Sequence, residues 1–218
     1  MSAQNWLDAA LVLGAYLAGS LPMGVIVARL TGARDPRTVG SGRTGGTNAW
    51  RAMGLWRGVL VGVLDIAKGA VPVLIATELG SPTVRALAGV AAILGAWKSV
   101  FLGFHGGRGV ATGIGAMAII QPLVILLGAP VFFGVIAVTR YVSLGSLVGS
   151  AFGAALLVPC VALGLNPPSD LIFAAGGVVI VWYAHRDNIG RLMRGEERKI
   201  EFSTSPAEAE EPGTELPP

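Results

Sequence analysis

Long apolar runs, separated by short glycine-rich or basic turns, follow one another along almost the whole of this chain. Only 13% of its residues are charged and 53% are apolar, whereas ordinary soluble domains carry about 25% charged residues. Inside a bilayer the backbone must satisfy its own hydrogen bonds, so runs of this length predict α-helices. The sequence therefore predicts an all-α, polytopic integral membrane protein.

Seven apolar runs are present, with approximate bounds 7–30, 55–79, 84–102, 110–120, 122–138, 144–165 and 171–184. A complete crossing needs about 20 residues, so the stretch between Gly109 and Thr139 is too short for two full crossings. We expect about seven transmembrane helices, some of them short or broken. The sequences GSLP (19–22) and Gln121-Pro122 are the expected breaks.

Basic residues are concentrated in alternate turns. With seven crossings, the turns after the first, third and fifth helices share a side with the C-terminal segment, and the basic residues fall on that side. They are Arg34, Arg37, Arg43, Arg51, Arg57, Arg108, Arg140, Arg186, Arg191, Arg194, Arg198 and Lys199. The positive-inside rule then places the N-terminus outside and the C-terminus in the cytoplasm.

Residues 1–200 are expected to form a single membrane-embedded domain. Residues 201–218 are rich in glutamate and proline and have few bulky apolar side chains, which predicts a disordered acidic tail. With Cys160 as the only cysteine, no intrachain disulfide can form, and a metal thiolate site is not expected. We predict neither a cofactor nor a metal.

The turn GFHGGRGVAT (103–112) opens directly into an apolar run. Its glycines allow successive backbone N–H groups to point into one space, the following helix start adds unpaired donors, and Arg108 adds a full charge. This combination predicts a phosphate-sized anion site at a membrane surface. The alternative is a plain helix-connecting turn in which glycine only permits a tight reversal.

Three further motifs fall on the same predicted side of the membrane. They are VGSGRTGGTNAWR (39–51), RYVS (140–143) and HRDNIGRL (185–192). We expect all four to meet in one basic chamber with room for two phosphate groups. Within the second apolar run, Asp65 and Lys68 are three residues apart and can pair on one helix face, either for function or as a structural ion pair.

In order and spacing, the stretches GSLP, VGSGRTGGTNAWR, DIAKG, GGRGVATG, RYVSLGS and HRDNIGRLMRGEE resemble the bacterial acyl-phosphate-dependent glycerol-3-phosphate acyltransferase family over about residues 14–200. The resemblance implies a bacterial inner-membrane enzyme with a cytoplasmic active site. Such an enzyme transfers a fatty acyl group from acyl phosphate to the 1-hydroxyl of glycerol 3-phosphate, giving lysophosphatidic acid for phospholipid synthesis. Its partners are these substrates and membrane lipids, not nucleic acid, and contact with the acyl-phosphate-forming enzyme stays open.

Carried over position by position, the family motifs give two sets of candidate site residues. The candidate catalytic residues are His185, Asn188, Ser143 and Arg108. The candidate substrate-binding residues are Ser41, Thr47, Asn48, Arg51, Gly106, Gly107, Gly109, Thr112, Lys68 and Glu197. His185 either binds a phosphate or acts as the general base, since it is the one titratable candidate near neutral pH.

The sequence also departs from the family pattern. Arg108 stands where lysine is usual, Arg43 where asparagine is usual and Gly46 where alanine is usual, and Ala96 and Ser99 interrupt a Gly-His-x-Phe-Pro run. Arginine keeps the charge of lysine but grips a phosphate with a planar fork. Two other hypotheses therefore remain, a small-anion transporter with broken helices and a noncatalytic lipid-binding relative.

Overall fold

The computed structural model describes residues 2–200, and all regular secondary structure within that range is helical. The α-helices are α1 Ala3–Ser20, α2 Met23–Leu30, α3 Gly46–Met53, α4 Leu55–Leu79, α5 Pro82–Trp97, α6 Val110–Ile120, α7 Pro122–Thr139, α8 Val142–Ala162, α9 Asp170–Ala184 and α10 Arg186–Met193. Short 3-10 helices lie at Pro36–Thr38 and Val100–Leu102. The acidic tail predicted for 201–218 lies outside the described residues.

Within the described range, four helical segments are long and apolar enough to cross a membrane. They are α4, α5 with its 3-10 extension to Leu102, α7 and α8. Helices α1 and α2 together form a fifth candidate that is bent by 48°. Helices α6 and α9 are apolar but have only 11 and 15 residues. The regular secondary structure of residues 2–200 is thus all helical with four to five candidate spans, and seven crossings remain a prediction.

Both expected breaks are confirmed. The first apolar run is interrupted between Ser20 and Met23, and the run after Gly109 is divided between Ile120 and Pro122. Proline has no backbone N–H and its ring clashes with the preceding turn, so it starts a new helix at both places. At the second break, the Gln121 side chain accepts a hydrogen bond from the backbone N–H two residues later and caps α7.

Helices α4 and α6 pack with their backbones in direct contact. A Cβ atom on Gly69 would collide with the carbonyl of Thr112, and one on Gly115 would collide with the carbonyl of Ile66. Small residues allow this close approach, which is common between membrane helices. The contact places the first turn of α6 against the middle of α4, beside Lys68.

Two short helices were not expected from the sequence. Most of α3 lies within the motif 39–51, for which the sequence predicts a turn, and α3 buries Ala49 and Met53 against the rest of the fold. After α9 the chain starts a new helix, α10, which buries Asn188. Both short helices lie beside the cavity described next.

Candidate functional site

A cavity of about 580 Å³ lies where the four predicted motifs meet. Every predicted site residue except Gly106 lines it. These lining residues are Ser41, Thr47, Asn48, Arg51, Lys68, Gly107, Arg108, Gly109, Thr112, Ser143, His185, Asn188 and Glu197. The structure therefore brings residues from widely separated parts of the chain to one place.

The cavity wall is strongly basic. Counted over residues 2–200, it carries six cationic side chains against two carboxylates, Asp65 and Glu197. The cations are Arg43, Arg51, Lys68, Arg108, Arg191 and Arg198. A concave surface with this charge balance attracts anionic ligands.

Two helix N-termini open into this cavity. Helix α3 begins after Gly45, and α6 begins after Gly109, which adopts the left-handed conformation at φ 78°. Neither helix has a side-chain cap, and the first turns of both line the cavity. Because the first amides of a helix lack intrahelical partners and carry the positive end of its dipole, each start can hold an anion. The starts of α3 and α6 thus supply two positions for an anion in one cavity.

The backbone of the glycine-rich turn differs from our expectation. The N–H of Gly106 donates to the carbonyl of Trp97 at 3.0 Å, and the N–H of Gly107 donates to the carbonyl of Ala96 at 2.8 Å. These amides therefore hold the turn against the end of α5 and do not point at a ligand. Arg108 and the start of α6 remain as the anion donors of this turn.

Arg108 is a partly buried cation of the glycine-rich turn. Burial and, to a lesser extent, the positive charge of Arg43 together lower the pKa of Arg108 to about 10. At neutral pH the guanidinium is still charged. Its Nε atom is buried and has no hydrogen-bond partner among the described residues. A buried donor without a partner is costly, so an anion bound here would remove an energetic penalty.

Glu197 organises three neighbouring side chains. Its Oε1 accepts hydrogen bonds from Ser143 Oγ at 3.0 Å and Asn188 Nδ2 at 2.6 Å, and its Oε2 accepts one from Arg191 Nε at 2.8 Å. Its side chain is only 6% exposed. A carboxylate in this position repels a phosphate, so Glu197 serves to orient the donors around it. The Asn188 Oδ1 atom is buried without a partner within residues 2–200.

His185 is a buried, neutral imidazole at the end of α9. Its Nδ1 lies 2.7 Å from the carbonyl of Val181, and because a carbonyl only accepts, we assign the ring proton to Nδ1. Burial lowers the pKa of His185 to about 4. Nε2 is then the nitrogen with a free lone pair. This form accepts a proton and cannot donate a hydrogen bond to phosphate from Nε2.

Asn48 is occupied by the first loop itself. Its Nδ2 donates to the carbonyls of Pro36 at 2.6 Å, Arg43 at 2.8 Å and Val39 at 3.1 Å. Its Oδ1 accepts from the backbone N–H of Ser41 at 3.1 Å. Asn48 therefore shapes the loop that carries Ser41 and Arg43 and is a positioning residue.

The unusual residues near the end of α5 support the site from behind. Ser99 donates from its hydroxyl to the backbone carbonyl of Ser20, and Tyr16 donates to the carbonyl of Lys98 at 2.9 Å. Both bonds tie this segment to α1 near its break. Ala96 holds the glycine-rich turn through its carbonyl, as described above. The departure at Ser99 thus alters the support of the cavity, whereas the departure at Ala96 places a methyl group on the cavity wall itself.

Three cationic residues of the cavity wall are not among the predicted site residues. They are Arg43, Arg191 and Arg198, which the sequence places only on the positively charged face. Arg191 lies three residues after Asn188, so their shared helix face was an available signal. Among residues 2–200, no group of three or more histidine, cysteine, aspartate or glutamate side chains is placed to hold a metal ion.

Comparison with known proteins agrees with this geometry. The family described as glycerol-3-phosphate acyltransferase matches residues 9–195. A relative of that name from Roseiflexus sp. (strain RS-1) is 42% identical over 88% of this chain and 95% of its own length. One from Anaeromyxobacter dehalogenans (strain 2CP-C) is 45% identical over 89% of this chain and 98% of its own length.

Solved structures of a relative share the fold. The crystal structure of PlsY, an integral membrane glycerol 3-phosphate acyltransferase, in its glycerol 3-phosphate form superimposes with a TM-score of 0.82 at 38% identity. Its lysophosphatidic acid form superimposes with a TM-score of 0.80 at 35% identity. Each covers 89% of this chain and 96% of the PlsY chain. This chain therefore belongs to the glycerol-3-phosphate acyltransferase family.

Proposed function

We propose that this enzyme transfers a fatty acyl group from acyl phosphate to the 1-hydroxyl of glycerol 3-phosphate and so forms lysophosphatidic acid. The observation that carries the proposal is the meeting of two uncapped helix starts in one basic cavity. Both substrates carry a phosphate group, and each helix start suits one of them. The glycerol 3-phosphate and lysophosphatidic acid forms of the related structures fit this acceptor and this product.

Acyl phosphate is a mixed anhydride, so its phosphate is a good leaving group and the enzyme needs no covalent nucleophile. Positioning of the two substrates supplies much of the rate enhancement, since well-oriented reactants can gain about 7–11 kcal/mol. Arg108 and the start of α6, including Gly109 and Thr112, hold one phosphate. Asn188 adds the second N–H of its side-chain amide, while the hydroxyl of Ser143 donates to Glu197 and holds that carboxylate in place.

The second phosphate position lies at the start of α3. Ser41, Thr47 and Arg51 line the cavity there, and Asn48 holds their loop in shape. Lys68 reaches the same cavity from α4. These residues bind and orient the other substrate, so that its reacting group faces the group bound beside α6.

In the proposed reaction, the hydroxyl oxygen of glycerol 3-phosphate attacks the acyl carbonyl. A new ester C–O bond forms, and the C–O bond to phosphate breaks. His185 Nε2 accepts the hydroxyl proton and passes it to the departing phosphate. Its pKa is about 4 without substrates, and two bound phosphates raise it because negative charge favours the protonated imidazole.

The proposed membrane topology has seven crossings, with the N-terminus outside and the cavity on the cytoplasmic side of the inner membrane. In support, the cavity gathers the turns after the first, third and fifth predicted crossings together with the C-terminal segment, which also carry most of the basic residues. Acyl phosphate would then enter from the bilayer and glycerol 3-phosphate from the cytoplasm.

The test is an assay of lysophosphatidic acid formation by the purified protein with acyl phosphate, acyl coenzyme A and acyl carrier protein in turn. We expect activity with acyl phosphate alone. Arg108→Ala should lower kcat/KM by at least about 100-fold because a charged donor is lost, as for other oxyanion donors. Arg108→Lys should retain much more activity.

The matched control is Arg34→Ala, because Arg34 is an exposed arginine of the first loop that does not line the cavity. This variant should remain fully active. Wild-type turnover by Arg108→Ala would remove the proposed site. No turnover with any donor by the folded wild-type protein would instead favour a noncatalytic relative, and solute uptake into liposomes would favour a transporter.

A further inference from the structure

Arg43 connects the two helix starts that open into the basic cavity. Its backbone belongs to the loop just before α3, and its side chain lines the cavity wall. Its Nη1 donates to the carbonyl of Gly106, in the glycine-rich turn, at 3.4 Å. The guanidinium therefore extends from the loop at the start of α3 to the turn that carries Arg108.

The contacts that hold the Arg43 guanidinium are loose. Among residues 2–200 it makes one hydrogen bond, and the 3.4 Å length of that bond is beyond the usual range for N–H···O. Its Nη2 lies 3.7 Å from Asp187 Oδ2, a distance that permits an ion pair but not a hydrogen bond. Because a guanidinium has five N–H donors, most of the donor capacity of Arg43 is available to a ligand.

Asp187 is a carboxylate that approaches Arg43 from outside the cavity. It lies in the first turn of α10 and does not line the cavity. Its side chain is 52% exposed, whereas that of Arg43 is 22% exposed. Ion pairs between partly exposed side chains are weak. The pair can therefore open when an anion of higher charge reaches Arg43 from the cavity.

The neighbouring Arg108 favours an anion at this place. After burial, the positive charge of Arg43 contributes most to lowering the pKa of Arg108, so the two cations repel each other. The Nε atom of Arg108 is buried without a partner among the described residues. A phosphate group between the two guanidinium groups would relieve the repulsion and accept charge-assisted hydrogen bonds from both.

We propose that Arg43 is a further phosphate-binding residue, which acts with Arg108 beside the start of α6, and that Asp187 competes with the phosphate for it. The inference rests on the proposed function, because it assigns the bound anion to the phosphate of a substrate or product. Both products of the proposed reaction carry a phosphate group. By taking Arg43 back, Asp187 limits the affinity for these groups and favours their release.

The test measures the dissociation constant of inorganic phosphate for the purified protein, by isothermal titration calorimetry at fixed ionic strength. Arg43→Ala should weaken binding by about tenfold or more because a charged donor is lost, and Arg43→Lys should weaken it less because the charge is kept. Asp187→Asn should strengthen binding by about two- to fivefold because a competing ion pair is removed. In the Arg43→Ala background, Asp187→Asn should have no effect.

The matched control is Glu196→Gln, because Glu196 is also an exposed carboxylate paired with an arginine and it does not line the cavity. Its affinity for phosphate should equal that of the wild type. Wild-type affinity in Arg43→Ala would overturn the inference. An equal gain from Asp187→Asn with and without Arg43 would overturn it as well, because that gain would come from net charge alone.

Steady-state kinetics then identifies the substrate whose phosphate Arg43 binds. Arg43→Ala should raise the KM for acyl phosphate or for glycerol 3-phosphate more than for the other substrate. A fall in kcat with both KM values unchanged would contradict phosphate binding by Arg43. Calorimetry needs no turnover, so a wild type that shows the expected phosphate binding but uses no acyl phosphate would contradict the proposed function and support this inference.

Discussion

Burial determines the chemical form of the His185 side chain. His185 is 2% exposed, and its Nδ1 is committed to the carbonyl of Val181. The imidazole is therefore neutral in the free enzyme and offers a lone pair on Nε2. This form suits acceptance of a hydroxyl proton better than direct binding of a phosphate, and for this reason the proposed reaction uses His185 as the proton acceptor.

This burial predicts a pH dependence of stability. The pKa of His185 is about 4 in the folded protein against 6.5 for the free side chain, so the unfolded state binds more protons between these values. The free energy of unfolding should therefore fall as the pH is lowered from about 6.5 to about 4, by about 3 kcal/mol for this residue. Thermal unfolding of the substrate-free protein in detergent measures the effect.

The control uses the only other histidine. His105→Gln removes an exposed imidazole, so the slope of unfolding temperature against pH should stay as in the wild type. His185→Gln should flatten the slope between about pH 4 and 6.5. An unchanged slope in His185→Gln would show that the ring is solvated and titrates normally.

The sequence motifs predict most of the polar positions that line the cavity, but they do not predict what each side chain contributes. Asn48 and Glu197 are polar residues within motifs, and their hydrogen bonds to a loop or to other donors depend on contacts between distant segments. The same is true of the Gly106 and Gly107 amides, which bond to the end of α5. Sequence spacing does not reveal such tertiary partners.

At the scale of helices, the intramembrane ion pair joins two elements. Lys68 Nζ lies 2.8 Å from Asp65 Oδ1 on α4 and donates to the carbonyl of Leu21 at 3.0 Å, in the break between α1 and α2. Proline frees backbone carbonyls at such a break, and a buried carbonyl needs a donor. The pair thus holds the broken first helix against α4, beside the cavity.

This arrangement predicts strong coupling between the two charges. Lys68→Met leaves Asp65 buried without its cation, and it should lower the free energy of unfolding by about 3 kcal/mol or more. The double variant Asp65→Asn, Lys68→Met should lose clearly less free energy of unfolding than the sum of the losses in Asp65→Asn and Lys68→Met. Thermal unfolding in detergent measures the loss of stability in the two single variants and the double variant. Glu78→Gln is the control, because Glu78 is an exposed carboxylate on the same helix. Additive losses would argue against the pair.

The helix breaks could be predicted because proline acts locally, within one turn of its own position. Helix α3 could not be predicted in this way, because it has only eight residues and is stabilised by burial of Ala49 and Met53 against other elements. Short helices are marginal without such packing. Glycines in its first turn also favour a loop when only local preference is considered.

At the scale of the whole molecule, the proposed topology predicts which positions face each side of the membrane. Thr38 and Glu196 lie in segments on the cavity side, and Glu78 lies near the far end of α4; all three are exposed. With Cys160 replaced by serine, single cysteines at these positions report sidedness. In intact cells, a membrane-impermeant maleimide should label Glu78→Cys only.

After permeabilisation, Thr38→Cys and Glu196→Cys should be labelled as well. Labelling of both of these in intact cells would invert the proposed orientation, and labelling of only one would contradict an odd number of crossings. Charge distribution supports this prediction at the level of the sequence because it acts on whole segments and needs no knowledge of packing. The number of crossings is harder to predict from the sequence, because α6 and α9 are shorter than a full span.

Helix α9 begins at Asp170, which is buried and paired with Arg85 of α5, and it ends at His185 beside the basic cavity. One helix thus joins a buried ion pair at its start to the proton acceptor of the proposed reaction at its end. A substitution that shifts this helix along its axis would therefore displace the imidazole, even when the substituted residue lies at the opposite end of the helix.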